Sequence, residues 1–271
     1  MTSITPHHDL ADRARSVFDI VDRLGHEPVT ALGVWAHPDD ESLLAGGLLA
    51  AIADRGGEVV NVAATAGEHG TDDPTIEPPA VLAARRRREL DDALAALGAD
   101  SAIHLGYADG SCAEVTEALA AHLVGRIIDR VQPDVIVTFG ADGVTGHPDH
   151  QTVHRWVRRA VADRGDRIPL VGTTAAGSWP ADAIDALHTI DAFWPGYPCA
   201  GPTEDDVIVR LDAHLLERKL DALACHASQM GPVVTALGPD RFADLAAVES
   251  YVALNHVAHR ALSPEAMPIA A

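Results

Sequence analysis

The stretch Trp35-Ala36-His37-Pro38-Asp39-Asp40-Glu41 decides how this chain folds, because it directly follows the apolar run Ala31-Leu32-Gly33-Val34. The apolar run predicts a buried strand, and the acidic residues after Pro38 predict the first turn of a helix. One imidazole and three carboxylates therefore lie in a single turn at the end of a strand. A cluster of this composition indicates a metal site with a base beside it.

A second cluster, Gly146-His147-Pro148-Asp149-His150, closely follows the apolar run Val135-Ile136-Val137-Thr138-Phe139. Pro148 suits the first position of a helix, so the two imidazoles, three residues apart, share one helix face near its positive end. Both clusters are expected at the carboxyl edge of one sheet, where open α/β proteins bind ligands. Helix capping explains either cluster alone, but capping does not need histidine.

The remaining chain alternates strand-like and helix-like segments, which is the pattern of a parallel sheet. Strands are predicted at 31–36, 58–65, 102–105, 134–139, 168–174 and 207–211, with 248–254 as a last strand or a helix end. Helices are predicted at 10–24, 42–55, 80–97, 114–131, 148–163 and 213–225. The prediction is an α/β fold: a Rossmann-like, mostly parallel sheet with helices on both faces and an active site at the carboxyl ends of the strands.

The length of 271 residues suits one large α/β domain. We expect a single domain over 1–271, with 1–28 as an N-terminal helical extension and 259–271 as a C-terminal tail. No repeat or long linker divides the sequence. There is also no GxGxxG motif after the first predicted strand, so no dinucleotide is indicated.

The charge balance restricts the partners of the chain. Forty acidic and twenty basic residues give a formal net charge of −20, which repels nucleic acid and anionic membrane surfaces. A neutral or locally paired small-molecule substrate is therefore expected, while formation of a homo-oligomer stays open. The run Arg85-Arg86-Arg87-Arg88 is an exception, but its side chains point around a predicted helix, so at most one or two of them face a pocket.

Cysteine usage and apolar runs predict the compartment. Cys112, Cys199 and Cys225 are far apart and form no CxxC pair, which argues against disulfides and thiolate zinc sites. No apolar run approaches the roughly 18 residues of a membrane span, and the first residues do not resemble a signal peptide. These features predict a cytoplasmic location.

Two histidines and one carboxylate around a divalent ion would leave an open coordination position for water. The ion can acidify that water and polarise a carbonyl, so a neighbouring carboxylate needs only to accept a proton. Either Asp39 or Asp40 could ligate while the other acts as base. Likewise, one of His147 and His150 could bind the metal while the other stabilises an oxyanion.

The chain resembles the PIG-L or LmbE-like family of metal-dependent N-deacetylases, which includes the mycothiol-pathway deacetylase and the mycothiol S-conjugate amidase. The likeness covers roughly residues 30–255 and rests most specifically on AHPDDE at 36–41 and GHPDH at 146–150. Supporting motifs are TAGEHG at 65–70, Arg86 with Glu89, LGYADG at 105–110 and Lys219 with the later HASQ at 226–229.

The resemblance implies His37, Asp40 and His150 as metal ligands. The ion implied is zinc, with Fe²⁺ or another divalent ion as the alternative. Asp39 is implied as the general base, and His147 as the group that polarises the carbonyl and then protonates the leaving amine.

The resemblance further implies that Arg86 and Asp109 contact the substrate and that Asp149 orients His147. The implied reaction is removal of an acyl group, an acetyl above all, from a 2-acetamido sugar or sugar conjugate. Amide cleavage in a thiol–sugar conjugate would use the same site. Mycothiol-type members carry Tyr where this chain has Thr145. Either Tyr107 or Tyr197 supplies the missing hydroxyl, or the transition state relies more on the metal and His147.

Two other classes of function compete with this interpretation. His37, Asp39 and His150 formally match the facial triad of non-haem Fe(II) oxygenases. Those enzymes use a double-stranded β-helix of short antiparallel strands, whereas this sequence alternates strands with long helices. A Rossmann-like binding protein with a vestigial site is the other alternative, and the retention of base, ligands and acid together argues against it.

Overall fold

The computed structural model describes residues 15–24, 28–71, 73–99, 101–175, 179–198 and 206–263. In these ranges one sheet contains seven strands. The strands are β1 (Thr30–Trp35), β2 (Glu58–Ala63), β3 (Ser101–His104), β4 (Val135–Phe139), β5 (Leu170–Thr173), β6 (Val207–Arg210) and β7 (Val248–Ala253).

The described helices surround this sheet. They are α1 (Val17–Arg23), α2 (Asp40–Asp54), α3 (Pro79–Leu97), α4 (Glu117–Val131), α5 (Pro148–Ala162), α6 (Ala181–His188), α7 (Ala213–Cys225), α8 (Ala227–Leu237), α9 (Pro239–Ala246) and α10 (His256–Leu262). A short 3₁₀ turn spans Cys112–Glu114. None of the described helices is long and apolar enough to cross a membrane.

The strand order is β3-β2-β1-β4-β5-β7-β6. The pairs from β3 through β5 are parallel, and β7 runs antiparallel to both of its neighbours. The prediction of a mostly parallel α/β sheet is therefore confirmed. Continuous burial of β1 and β4 fits their central place, since a strand covered on both faces reads as an unbroken apolar run.

The strand order reverses between β1 and β4. From β1 the chain proceeds outward to β2 and β3, and it then returns to place β4 on the other side of β1. Because parallel crossovers are right-handed, connections that leave in opposite directions place their helices on opposite faces and open a crevice between the two strand ends. His37 and the loop that leads to His150 leave the sheet at this crevice.

Most predicted elements agree with the structure to within one or two residues, but α4 begins three residues after its predicted start, behind the 3₁₀ turn. Segment 248–254 is the strand β7 rather than a helix end. The helices α6, α8, α9 and α10 were not predicted. The predicted helix 10–24 is described only from residue 15, and parts of the predicted terminal segments 1–28 and 259–271 lie outside the described residues.

Candidate metal centre

The two histidine clusters meet at the crevice between β1 and β4. The ring centroids of His37 and His150 are 5.1 Å apart, and those of His37 and His147 are 4.8 Å apart. Ligand atoms of these three histidines lie within 4.8 Å of one another. The sequence separates His37 from His150 by 113 residues, so the fold alone brings them together.

Each of the two central imidazoles has one nitrogen held by an acceptor. Nε2 of His37 lies 3.0 Å from Oδ1 of Asp109, and Nδ1 of His150 lies 2.9 Å from the carbonyl oxygen of Gly143. A hydrogen bond to such an acceptor requires the imidazole proton to be on the ring nitrogen that faces the acceptor. In neutral rings the lone pairs are then on Nδ1 of His37 and Nε2 of His150, which lie 3.1 Å apart. Two converging lone pairs are suited to a shared cation.

Asp40 completes this arrangement. Its carboxylate oxygens lie 3.7 Å from Nδ1 of His37 and 3.4 Å from Nε2 of His150. The first distance is to Oδ2 and the second to Oδ1, so each imidazole faces a different oxygen of Asp40. Tetrahedral ligands at zinc distances are about 3.3 Å from one another, and the separations here are of that size. Asp40 also accepts the backbone N–H of His37 at 2.8 Å, so the ligand geometry is fixed within one turn. The donor set therefore fits a divalent ion with one open position.

The carboxylates around His37 explain its protonation. Burial lowers the pKa of His37, but the carboxylates of Asp109, Asp149 and Asp40 outweigh burial and raise the pKa to about 10. For His150, burial and the neighbouring His37 lower the pKa to about 3. These shifts favour a proton on His37 and none on His150, and a metal ion bound here would replace the proton on the lone pair of His37.

Asp39 stands beside the ligands but has different partners. Its Oδ2 accepts a hydrogen bond from Nη2 of Arg86 at 3.1 Å, and the same nitrogen donates to the carbonyl oxygen of Pro38 at 2.6 Å. Burial raises the pKa of Asp39 to about 6, although Arg86 opposes this shift. Asp40, not Asp39, lies within 4 Å of both imidazoles, so the triad expected for an iron oxygenase is not the set that converges.

His147 is the N-cap residue of α5. Its Nδ1 accepts the backbone N–H of Asp149 at 3.1 Å, so in the neutral ring the proton is on Nε2. Burial and the neighbouring His37 lower the pKa of His147 to about 4, which favours the neutral ring. His147 therefore has an N–H group available for a substrate oxygen.

The residues expected to contact substrate or to orient His147 have further partners. Arg86 is buried and donates to the carbonyl oxygens of Gly67 and Pro38. The carboxylate of Asp109 contacts His37 and accepts the backbone N–H of His69. The carboxylate of Asp149 accepts the backbone N–H groups of residues 110 and 112, and only its own N–H is bonded to His147.

The structure separates the two tyrosines considered as replacements at position 145. Tyr107 packs its ring on Trp156, with the centroids 5.2 Å apart. Tyr197 lies against the backbone of Gly146, and its hydroxyl accepts a hydrogen bond from Gln151. Of the two, only Tyr197 contacts the segment that contains His147.

Two features of the site were not predicted. Glu41 and His226, 185 residues apart, form a buried pair below Asp39. Trp194 is 47% exposed, and its ring lies edge-on to His147 with the centroids 5.7 Å apart. The motif around His226 gave a signal for the first feature. For the second, the aromatic residues Trp179, Trp194 and Tyr197 could wall a sugar pocket, although their proline neighbours favour ordinary loop anchors.

Proteins with established names are similar in sequence to most of this chain. The family model described as PIG-L, GlcNAc-PI de-N-acetylase, matches residues 32–161. A 1D-myo-inositol 2-acetamido-2-deoxy-alpha-D-glucopyranoside deacetylase of Mycolicibacterium gilvum is 32% identical, over 73% of this chain and 80% of the relative. The enzyme of the same name from Nakamurella multipartita is 35% identical, over 75% of this chain and 80% of the relative.

Solved structures show the same fold. The A40926 pseudoaglycone deacetylase Dbv21 superposes with a TM-score of 0.64 at 22% identity, over 84% of this chain and 97% of that one. The N,N'-diacetylchitobiose deacetylase of Pyrococcus horikoshii gives a TM-score of 0.57 at 22% identity, over 89% and 86%.

The fold, the site and the relatives together define a metal-dependent amide hydrolase of the deacetylase class, which acts on a C–N bond. The chain belongs to the PIG-L family. The predictions of family, fold class and enzyme class are confirmed, and the oxygenase alternative is not supported.

Proposed function

We propose that this enzyme removes the acetyl group from a 2-acetamido sugar or sugar conjugate, with zinc held by His37, Asp40 and His150. The observation that carries the proposal is the convergence of two imidazole lone pairs and one carboxylate beside Asp39. The relatives named as deacetylases of an inositol-linked 2-acetamido sugar support this class of substrate.

A divalent ion bound by these residues would polarise the acyl carbonyl and acidify a water molecule. Asp39 is the base that accepts the proton of this water. Arg86 donates a hydrogen bond to one carboxylate oxygen of Asp39 and so fixes the orientation of the other oxygen. The water oxygen then forms a bond to the acyl carbon, and the carbonyl oxygen becomes an oxyanion.

His147 donates its Nε2 proton in a hydrogen bond to this oxyanion. Nδ1 of His147 already accepts the N–H of Asp149. Protonation of Nδ1 would break this hydrogen bond, which opposes a role for His147 as a general acid. Asp39 carries a proton after it has deprotonated the water. We therefore assign to Asp39 the role of donating this proton to the leaving amine. When the C–N bond breaks, this proton goes to the nitrogen and the carbonyl re-forms. Acetic acid and a free amine are released, and the acid then loses its remaining proton to solvent as acetate.

Trp194 supports a sugar as the substrate. Its ring is exposed beside His147, and its backbone N–H donates to the carbonyl oxygen of Thr145 at 3.0 Å. An aromatic side chain of this kind offers an apolar face at a wet site, which suits the C–H face of a pyranose ring. Arg86 and Asp109 remain proposed substrate contacts.

We also propose a cytoplasmic location. The three widely separated cysteines support a reducing compartment, and within the described chain Cys112 and Cys225 are unpaired. A homo-oligomer remains a possibility that size measurement in solution would test.

The test combines metal analysis with a screen for amine release. The wild-type protein is expected to bind one equivalent of zinc and to release amine from N-acetylglucosamine glycosides, with thiol–sugar amides as a separate arm. Asp39→Asn is expected to keep its zinc and to lose at least about a thousandfold in kcat, because the base is absent. Asp134→Asn, at the opposite end of the sheet, is the control. A wild-type protein with zinc and no turnover of any acylated amine would refute the proposal, and so would an active Asp39→Asn variant.

A further inference from the structure

The backbone of Asp39 has an unusual conformation. Its φ of 121° and ψ of −28° lie in a region that residues other than glycine rarely adopt. Such a conformation is strained and persists only where the surroundings fix it. The side chain of Asp39 does not cap α2, so it does not hold its own backbone in place.

Glu41 holds this backbone directly. Its Oε2 accepts the N–H of Asp39 at 3.0 Å. An acidic side chain that reaches back from the first turn to the N–H of the N-cap residue resembles half of a capping box. Here it binds the residue that precedes the helix and bears the proposed base.

His226 and Ser42 fix the other oxygen of Glu41. Oε1 accepts hydrogen bonds from Oγ of Ser42 at 2.6 Å and from Nε2 of His226 at 2.8 Å. All three side chains are completely buried. His226 lies between α7 and α8, so a distant part of the chain supports the turn at Asp39.

Arg86 acts from the other side of the same turn. Its Nη2 bonds the carbonyl oxygen of Pro38 and the carboxylate of Asp39. The peptide group between Pro38 and Asp39 is thus held at its oxygen by a cation and at its nitrogen by Glu41. The carbonyl oxygen of this peptide group faces the positive charge of Arg86, and its N–H faces the negative charge of Glu41. These two contacts fix the plane of the peptide group and therefore the direction of the Asp39 side chain.

We propose that Glu41, supported by His226, is a positioning residue that holds the Asp39 carboxylate in its reactive orientation. This inference rests on the proposed function, because it concerns the base of that reaction. Among the described residues, Glu41 forms no hydrogen bond with His37 or His150, whereas it accepts the N–H of Asp39 directly. Its hydrogen-bonded route to the reaction therefore passes through Asp39.

The first test compares Glu41→Gln with Glu41→Met. Gln keeps an oxygen for the N–H of Asp39 and can donate its amide hydrogens to a neutral His226, whereas Met has similar size and no acceptor. We expect Met to lower kcat about a hundredfold with KM within threefold, since a shift of about 1 Å in a catalytic group has this effect. Gln is expected to retain at least a tenth of the wild-type kcat, and both variants should bind one equivalent of zinc.

The second test is a double-mutant cycle with His226→Leu. Because His226 acts through Glu41, Glu41→Met with His226→Leu should be no slower than Glu41→Met alone. Glu249→Gln is the matched control, since Glu249 is an equally buried carboxylate that accepts the N–H groups of Gly47 and Leu48 in the same helix. It should lower the melting temperature and leave kcat unchanged.

Crystal structures of wild type and Glu41→Met give a readout that does not need activity. We expect the φ of Asp39 to turn negative in the variant and its carboxylate to leave Arg86. An unchanged Asp39, a Met variant with wild-type kcat, or a Gln variant as slow as Met would overturn the positioning role. An inactive wild-type protein with an unaltered site would instead refute the proposed function, so the two failures are distinct.

Discussion

The ring of His37 can act as a ligand because of its contact with Asp109. The carboxylate 3.0 Å from Nε2 favours a proton there and leaves Nδ1 free to face Asp40 and His150. Carboxylate–histidine pairs of this kind raise the basicity of a metal ligand and fix its orientation. The motif around Asp109 predicted a substrate contact. Because Asp109 is 72 residues from His37 in the sequence, nothing in the spacing indicated that its carboxylate contacts the ring of His37.

Asp109→Ala is therefore expected to weaken zinc binding about 10–100-fold, because the ring of His37 loses the group that selects its tautomer. The measurement is competition for zinc against a chromophoric chelator at neutral pH. Asp134→Ala removes a carboxylate that accepts the N–H of Thr30 at the far end of β1 and should leave zinc affinity unchanged. Equal affinities for wild type and Asp109→Ala would show that His37 needs no such partner.

The N-terminus of α5 depends on Gly146. This residue has a φ of 77°, and a Cβ atom there would lie 2.2 Å from the ring of Tyr197. Both the backbone conformation and the close contact exclude a larger residue without movement. Since His147 is the next residue, any displacement reaches the proposed oxyanion donor directly.

Gly146→Ala is expected to destabilise the protein by about 1–3 kcal/mol and to reduce kcat, because the strained turn and the displaced tyrosine both disturb His147. Gly146→Ala combined with Tyr197→Ala should recover part of the loss, since the smaller side chain removes the clash but not the backbone strain. Urea unfolding and steady-state kinetics measure the two effects. A Gly146→Ala variant with wild-type stability would contradict the argument.

The segment from Trp194 to Tyr197 covers the same helix end. We expect Trp194→Leu to raise KM for a sugar substrate about tenfold with a smaller change in kcat, because an aromatic face is lost while apolar bulk is kept. Trp194→Phe should remain close to wild type. Kinetics on a glycoside and on a small N-acetylated amino acid distinguish a loss of sugar stacking from a general loss of activity, since only the glycoside has a sugar ring to stack on Trp194. An equal loss on both substrates would assign Trp194 to support of His147 instead.

The elements that the sequence predicted well are those with a strong period or a clear boundary. The buried strands β1 and β4 are unbroken apolar runs, and α5 begins at a proline. The helix α8 was missed because it contains Gly231 and Pro232, which normally end helices. Its stability comes from packing against other elements, and local sequence does not encode such packing.

The crevice itself was predictable because both histidine clusters follow central strands. The order of the strands was not, since the pairing of β7 with β5 and β6 depends on contacts between distant segments. The same applies to Glu41 with His226, which meet only when the last third of the chain packs on α2. Motifs thus located the site, while the interactions that orient its residues required coordinates.

The buried carboxylate of Glu249 joins the last third of the chain to the first. Nζ of Lys219 in α7 lies 2.8 Å from Oε1 of Glu249 in β7, and both side chains are fully buried. The same carboxylate accepts the hydroxyl of Tyr251 and the backbone N–H groups of Gly47 and Leu48 in α2. One carboxylate therefore connects a strand and two helices behind the metal centre.

Lys219→Met is expected to reduce the free energy of unfolding by about 3–5 kcal/mol, because it leaves the charge of Glu249 buried without its partner. Adding Glu249→Gln should restore much of this loss, since the double variant has no buried charge at positions 219 and 249 and still offers an oxygen to the helix N–H groups. Urea unfolding followed by both tryptophan fluorescence and circular dichroism measures these energies. Coincident curves would also support one cooperative domain. If the double variant were less stable than Lys219→Met, the two charges would not act as a pair, and the link between α2, α7 and β7 would have to depend on their apolar contacts.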